Sequence, residues 1–176
     1  AGSTIKSYEK QVKTYDQKQK EKAFEEAKEY NEDLAKSAVQ LTDPFKVTKS
    51  NGETFIYNNI LNIDHTGIMG YLEIPCISVN FPVYHGTDAK VLERGIGHLA
   101  ASSMPVGGKS THSVLTGHTG LSSAKLFTDL TEMKKGDLFY LHVLDRILAY
   151  KVDQISVVKP EDTEKLQIVK GKDYVT

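Results

Sequence analysis

Cysteine occurs once in the 176 residues, at Cys76, and tryptophan is missing altogether. A single thiol excludes an intramolecular disulfide framework and any metal site built from clustered cysteines, without fixing the redox compartment. Long apolar runs are lacking too. None approaches the roughly 18 residues of a membrane helix, so these residues do not themselves cross a bilayer. Neither sign of charge dominates: Lys plus Arg total 22, Asp plus Glu total 23, and the net charge is −1. Such a chain has no field for gripping nucleic acid. No secretory pattern stands at the start, where Ala1-Gly2-Ser3-Thr4 looks like a processed or engineered end. What is present is enough apolar content, 39%, for a folded core. The length fits one domain, alone or with an appended helical arm.

Proline and glycine are scarce at one end. Residues 1–40 hold eight lysines and eight acidic residues, no proline, and Gly2 as their only glycine. Ile5, Tyr8, Val12 and Tyr15 step by three and four, as do Phe24, Ala27, Tyr30, Leu34, Ala38 and Leu41. That spacing lays an apolar stripe along one helical face. The stripe breaks in the polar run from Gln17 to Lys22, so residues 1–41 read as one long helix or two consecutive ones docking on a body. A stop follows at Thr42-Asp43-Pro44-Phe45, because proline disfavours a helical residue before it. Residues 42–54 read as a loop and linker, with a turn signal at Asn51-Gly52.

From there the chain becomes β-rich. Twelve of the 13 glycines and four of the five prolines lie in 52–176. Ile68 to Ile74 and Ile77 to Val83 read as strands parted by Pro75-Cys76, and Asp88 to Leu92 as a helical turn. Short strands are expected at Gly95 to Leu99, Ser113 to His118 and Leu138 to Val143, with a tight turn at Leu144-Asp145-Arg146. Ile147 to Val158 reads as one long strand, Ala124 to Met133 as a short helix, and Asp173 to Thr176 as the start of a last strand. Many short strands with few helices imply a mainly β fold, a barrel or a sandwich, over 55–176. Tyr174-Val175-Thr176 has strong β propensity and no turn residue after it. A sheet edge left open there would invite pairing with another copy, an edge-strand dimer.

Several side chains could carry chemistry. His118, between Gly117 and Thr119-Gly120 at a strand end, has little bulk beside it and can serve as acid or base, or can be an idle loop residue. Cys76 sits among apolar neighbours with no cation nearby in sequence, which suits a structural thiol better than a nucleophile. His112 and His118 lie six apart and would share a face of one strand, and His142 could join them at a zinc ion. No signature fixes that geometry, so no metal and no cofactor is expected. A serine hydrolase is disfavoured because no G-x-S-x-G elbow occurs. Asp43-Pro44-Phe45 can be a plain helix stop. It can also be a functional element offering a carboxylate to a cation, a stiff backbone and a covering ring.

The runs Gly67-Ile68-Met69-Gly70-Tyr71-Leu72-Glu73-Ile74-Pro75 and Phe81-Pro82-Val83-Tyr84-His85-Gly86-Thr87 resemble class C, pilus-assembling sortases of Gram-positive bacteria. So do Gly97-His98-Leu99, Ser103 to Gly108, Thr111 to His118 and Lys125 to Leu130, in that order. The resemblance covers about Leu41 to Thr176. It implies a sortase-type β-barrel behind an N-terminal helical arm. It also implies a cysteine transpeptidase that cuts a Leu-Pro-x-Thr-Gly-like signal and passes the acyl group to a pilin lysine. His118 matches the family's catalytic histidine. Asp43, Pro44 and Phe45 match its lid, where the acid contacts the catalytic arginine and the ring covers the catalytic cysteine. His112 and Cys76 match no catalytic position.

The family's nucleophilic cysteine would follow a few residues after Thr176 and its arginine later still; Arg94 and Arg146, the only arginines here, fall elsewhere. The expectation is therefore an incomplete barrel lacking its last strands, inactive as it stands, with Thr42 to Lys46 free to move. Its partners would be pilin subunits, through sorting signal and acceptor lysine. Its parent would sit on the extracellular face of the cell membrane, held by anchoring segments absent from these residues. The competing reading is a non-catalytic β-barrel binding or assembly module with a helical arm.

Overall fold

The structure, a computed structural model, describes residues 2–37, 51–120 and 126–176. The arm is two helices, α1 (Gly2–Thr14) and α2 (Gln17–Lys36). The break falls at Tyr15 and Asp16, where a capping box starts α2. The Asp16 carboxylate accepts from the Gln19 amide at 2.8 Å, and the Gln19 side chain accepts from the Asp16 amide at 2.9 Å. Ile5, Tyr8 and Val12 of α1 and Phe24 and Ala27 of α2 are buried, so the stripe does dock on the body.

A third helix, α3 (Asn51–Asn59), begins inside the stretch read above as linker. Asn51-Gly52 opens its first turn instead of a reverse turn, and Tyr57 supplies the reason by sinking into the core. Beyond it run β1 (Ile68–Ile74), a single 3₁₀ turn at Pro75–Ile77, and β2 (Val79–His85). Next come α4 (Ala89–Arg94), capped by the Asp88 side chain on the Val91 amide, and β3 (Ile96–His98). Then follow β4 (Thr111–Ser113), β5 (Leu115–Thr116), β6 (Leu138–Val143), β7 (Arg146–Lys151) and β8 (Asp173–Val175).

Six strands form one sheet in the order β5-β3-β2-β1-β6-β7, antiparallel except between β2 and β3. β4 and β8 pair in parallel as a second, two-stranded sheet. The whole is a curled, open half-barrel with the helical arm against it, as expected for an incomplete barrel. Register sets the core. Leu72 of β1 lies opposite Leu141 of β6, which lies opposite Leu148 of β7. Period-two alternation turns all three leucines to one face, and Leu141 at its centre is wholly buried.

Three expectations need correction. Ser113 to His118 is not one strand: β4 and β5 belong to different sheets, with Val114 between them. The long strand ends at Lys151; Val152 still exchanges backbone bonds with Gly136 and Asp137, and 153–159 forms no strand. Of the helix read at Ala124 to Met133, the described residues 126–133 hold only a 3₁₀ turn at Leu130–Glu132.

Polar contacts lock the arm in place. The Tyr8 hydroxyl accepts from the Leu144 amide at 2.9 Å and faces the Met69 carbonyl at 3.4 Å. Lys20 pairs with Asp145 at 3.7 Å, and the Arg146 guanidinium lies 3.7 Å from the centre of the Phe24 ring. α1 and α2 thus hold the β6–β7 turn from two sides. Deeper in, Asn31 of α2 grips the backbone of Met104: its oxygen accepts from the amide at 2.6 Å and its nitrogen donates to the carbonyl at 3.1 Å. Asn31→Ala would strand both backbone groups in the interior, and buried unsatisfied groups cost about 1–3 kcal/mol each. The variant should lose about 2–4 kcal/mol in urea unfolding, and a loss below about 0.5 kcal/mol would show that water replaces the amide.

Candidate active site

His118 stands three residues beyond Leu115, just past the end of β5. That strand is fixed against β3 by the pairs Gly97–Thr116 and His98–Leu115. Its approach is held along its length by buried serines. The Ser103 hydroxyl accepts from the His112 amide at 2.9 Å, and that of Ser102 accepts from the Val114 amide at 3.0 Å. Ser102 also donates to the Leu99 carbonyl at 2.7 Å. Each hydroxyl occupies a backbone group that the change of sheet leaves without a ladder partner.

His98 anchors the serines from the other side. Its Nε2 lies 2.7 Å from the Ser103 carbonyl, an acceptor only, so Nε2 carries the ring proton. Nδ1 then accepts from the Tyr57 hydroxyl at 2.8 Å, and that hydroxyl receives the Gly86 amide at 3.1 Å. Helix α3 is thereby wired to β2, β3 and the serine loop.

The His118 imidazole is half-buried. Among the described residues none hydrogen-bonds to its ring, although its carbonyl accepts from the Phe127 amide at 3.0 Å. Gly117 beside it has no room for a side chain: a Cβ would meet the Phe127 ring at 2.7 Å. Gly117 stands in the wall of an open apolar groove of about 460 Å³, whose other walls include Leu72, Ile74, Phe139, Ile155 and Thr176. The groove thus reaches the residue next to His118, whose imidazole is of a kind that can give or take a proton.

The other nominated residues are elsewhere. Asp43, Pro44 and Phe45 lie outside the described residues, as does the loop around them. Cys76 is exposed on the 3₁₀ turn, its sulfur 3.8 Å from a carboxylate oxygen of Asp137. Partial desolvation and the Asp137 charge push its thiol pKa up, the wrong direction for a nucleophile. His142 stacks on Tyr71, ring centres 4.2 Å apart, and meets Glu73 at 3.0 Å. The three histidines weighed for zinc do not converge, and among the described residues no group of His, Cys, Asp and Glu could hold a metal. Arg94 lies over the Tyr84 ring and Arg146 over Phe24, so neither serves His118.

Sequence reasoning missed the supporting residues: Asn31, Tyr57, His98, Ser102 and Ser103. A signal existed for one of them. Asn31 falls seven residues after Phe24 and four after Ala27, a polar residue on the apolar stripe.

A family model described as the sortase domain matches residues 72–176. Sortase A of Streptococcus agalactiae is 30% identical over 112 residues, covering 62% of this chain and 45% of that protein. The chain spans about half the length of the curated relatives it matches. Sortase C1 of Streptococcus agalactiae superimposes with a TM-score of 0.91 at 46% identity, over 98% of this chain and 86% of that one. Streptococcus pneumoniae sortase C, whose crystal structure bears on catalysis and pilin substrate specificity, gives 0.86 at 41% identity, over 98% and 85%.

Proposed function

This chain belongs to the sortase family, in its class C branch, and from that premise we propose that the protein carrying it is a pilin transpeptidase. It cuts a Leu-Pro-x-Thr-Gly-like signal between Thr and Gly and joins the threonine acyl group to a pilin lysine. The observation that supports this reading is a half-exposed imidazole just past the end of β5, next in the chain to Gly117 in the wall of an apolar groove.

A thiolate adds to the threonine carbonyl, and the C–N bond to glycine breaks as the thioester forms. The departing amine needs a proton, which His118 as imidazolium gives. Neutral His118 then takes a proton from the incoming lysine amine as it displaces the sulfur, closing the cycle with one amide broken and one formed. The thiol is not Cys76, whose surroundings favour the protonated form. In the same reading Asp43 contacts an arginine and Phe45 covers the thiol, with Pro44 stiffening the lid. The enzyme works at the outer face of the cell membrane. Among the described residues no helix is long and apolar enough to cross a bilayer.

The test is thiol-dependent cleavage of a sorting-signal peptide, with a lysine-bearing acceptor present. Cys76→Ser should leave the rate within about two-fold of the parent, since surface changes away from a site are nearly neutral. Residues 1–176 alone should release no glycine-leaving fragment. Cleavage by those residues that Cys76→Ser abolishes would overturn the assignment and make Cys76 the nucleophile. Peptide capture with no cleavage by the protein carrying this chain would favour the non-catalytic binding module.

A further inference from the structure

Strand β8 is pinned at both ends by side chains. At its start, the Asp173 carboxylate accepts from the Gly108 amide and from the Tyr150 hydroxyl, both at 2.8 Å. At its end, Thr176 continues the parallel ladder. Its amide donates to the Ser113 carbonyl at 2.9 Å and its carbonyl accepts from the Leu115 amide at 2.7 Å. The Thr176 side chain adds a contact that no backbone ladder supplies: its hydroxyl lies 2.7 Å from Nε2 of the buried His112.

The protonation of that ring follows from its second partner. Nδ1 lies 2.8 Å from the Gln167 carbonyl, which can only accept, so Nδ1 carries the proton. Nε2 of a neutral ring is then a bare lone pair, and the Thr176 hydroxyl donates into it. Burial favours this neutral ring by pushing the His112 pKa below the ordinary histidine range, with the Gln167 carbonyl opposing. The cavity of about 880 Å³ that His112 helps line carries Lys28, Lys36, Lys109 and Lys170 against Glu32 alone. From β8 itself the ring faces Tyr174, 5.6 Å away between ring centres.

We propose that His112 is a positioning residue. As a neutral imidazole it accepts a hydrogen bond from the Thr176 hydroxyl and fixes Thr176 beside Leu115, Thr116 and Gly117, the approach to His118. The inference rests on the reading of His118 above only for its bearing on catalysis; the placement of β8 is a separate matter. One ring joins three segments: β4, the turn after Leu166, and β8. Protonation of Nε2 turns the acceptor into a donor and removes the seat for the hydroxyl proton. The sign is that of a base with a lowered pKa. The unfolded chain binds a proton before the folded one does, so stability is full above the ordinary histidine pKa of about 6.5 and falls as pH drops below it.

The test uses the protein that carries this chain, read by amide hydrogen exchange and ring ¹⁵N shifts. The shifts should report the Nδ1–H tautomer for His112. The Leu115 and Thr176 amides should be protected at neutral pH, and their opening should increase below about pH 6.5. His112→Asn places its amide near Nδ1 and keeps only the Gln167 contact, while His112→Gln places an amide oxygen near Nε2, where it can accept from Thr176. His112→Asn and Thr176→Val should each speed Leu115 exchange about ten-fold, with Leu141 unchanged. His112→Gln should restore the protection and abolish its pH dependence.

An Nε2–H tautomer would overturn the proposal. So would Leu115 exchange insensitive to both Thr176→Val and His112→Asn, or equal losses in the Asn and Gln variants. Thr176→Val alters one surface hydroxyl and keeps the test available if a His112 variant fails to fold. Absence of peptide cleavage by the wild-type enzyme would count against the catalytic reading alone, and the exchange rates would still decide the role of His112.

Discussion

His118→Ala is expected to lower thiol-dependent transpeptidation by about 10²–10⁴-fold, the usual contribution of a positioned acid-base group. The effect should fall mainly on turnover. The groove beside Gly117 is lined by apolar side chains and does not depend on the imidazole for its shape. Peptide affinity should therefore change little. The ring is also the group whose loss the scaffold can best tolerate, since among the described residues none hydrogen-bonds to it. A drop in rate without a drop in melting temperature would separate chemistry from folding. His98→Ala supplies the contrast. It strips the buried Tyr57–His98–Ser103 chain and should destabilise the protein before any catalytic effect can be read. Undiminished turnover in His118→Ala would remove this histidine from the mechanism.

Leu141→Ala should cost about 2–5 kcal/mol, the range for truncating a buried leucine in a core that cannot fully collapse. For a chain of this size, each kcal/mol corresponds to roughly 2–4 °C in Tm. Leu141 lies between Leu72 and Leu148 in register, and all three sit on rigid ladders, so little can move to fill the gap. The upper half of the range is expected. A loss below about 1 kcal/mol would mean that the open side of the half-barrel lets the sheet close over the cavity. Urea unfolding with an unchanged m-value would confirm that the loss is one of packing.

The segments legible in the sequence are those whose side-chain period alone decides their structure. Ile68 to Ile74 and Leu138 to Val143 were bounded to the residue, because apolar runs between turn residues admit few alternatives. The docking faces of α1 and α2 followed from spacing, and the joint at Asp16 is visible in hindsight as Asp-x-x-Gln. Where partners decide, the sequence is silent. Residues 153–158 have the composition of a strand but form none. Ser113 to His118 reads as continuous, yet the chain changes sheets at Val114. Asn51-Gly52 looks like a turn until Tyr57 is known to need a buried seat beside His98. The site divides in the same way. His118 is singled out by its match to the family's histidine, its glycines alone leaving it open, whereas the link from His112 to Thr176 spans 64 positions and has no local sign.

The Asn31 carboxamide clasps only main-chain atoms of residue 104. Any residue at 104 except proline would present the same amide and carbonyl, so the clasp is blind to the identity of its target. The side chains of the same loop are held separately, Met104 by burial and Ser102 and Ser103 by the amides from which they accept, whereas α2 must keep one carboxamide at one position. Two independent fastenings thus share one loop, its backbone tied to the arm and its side chains to the sheet.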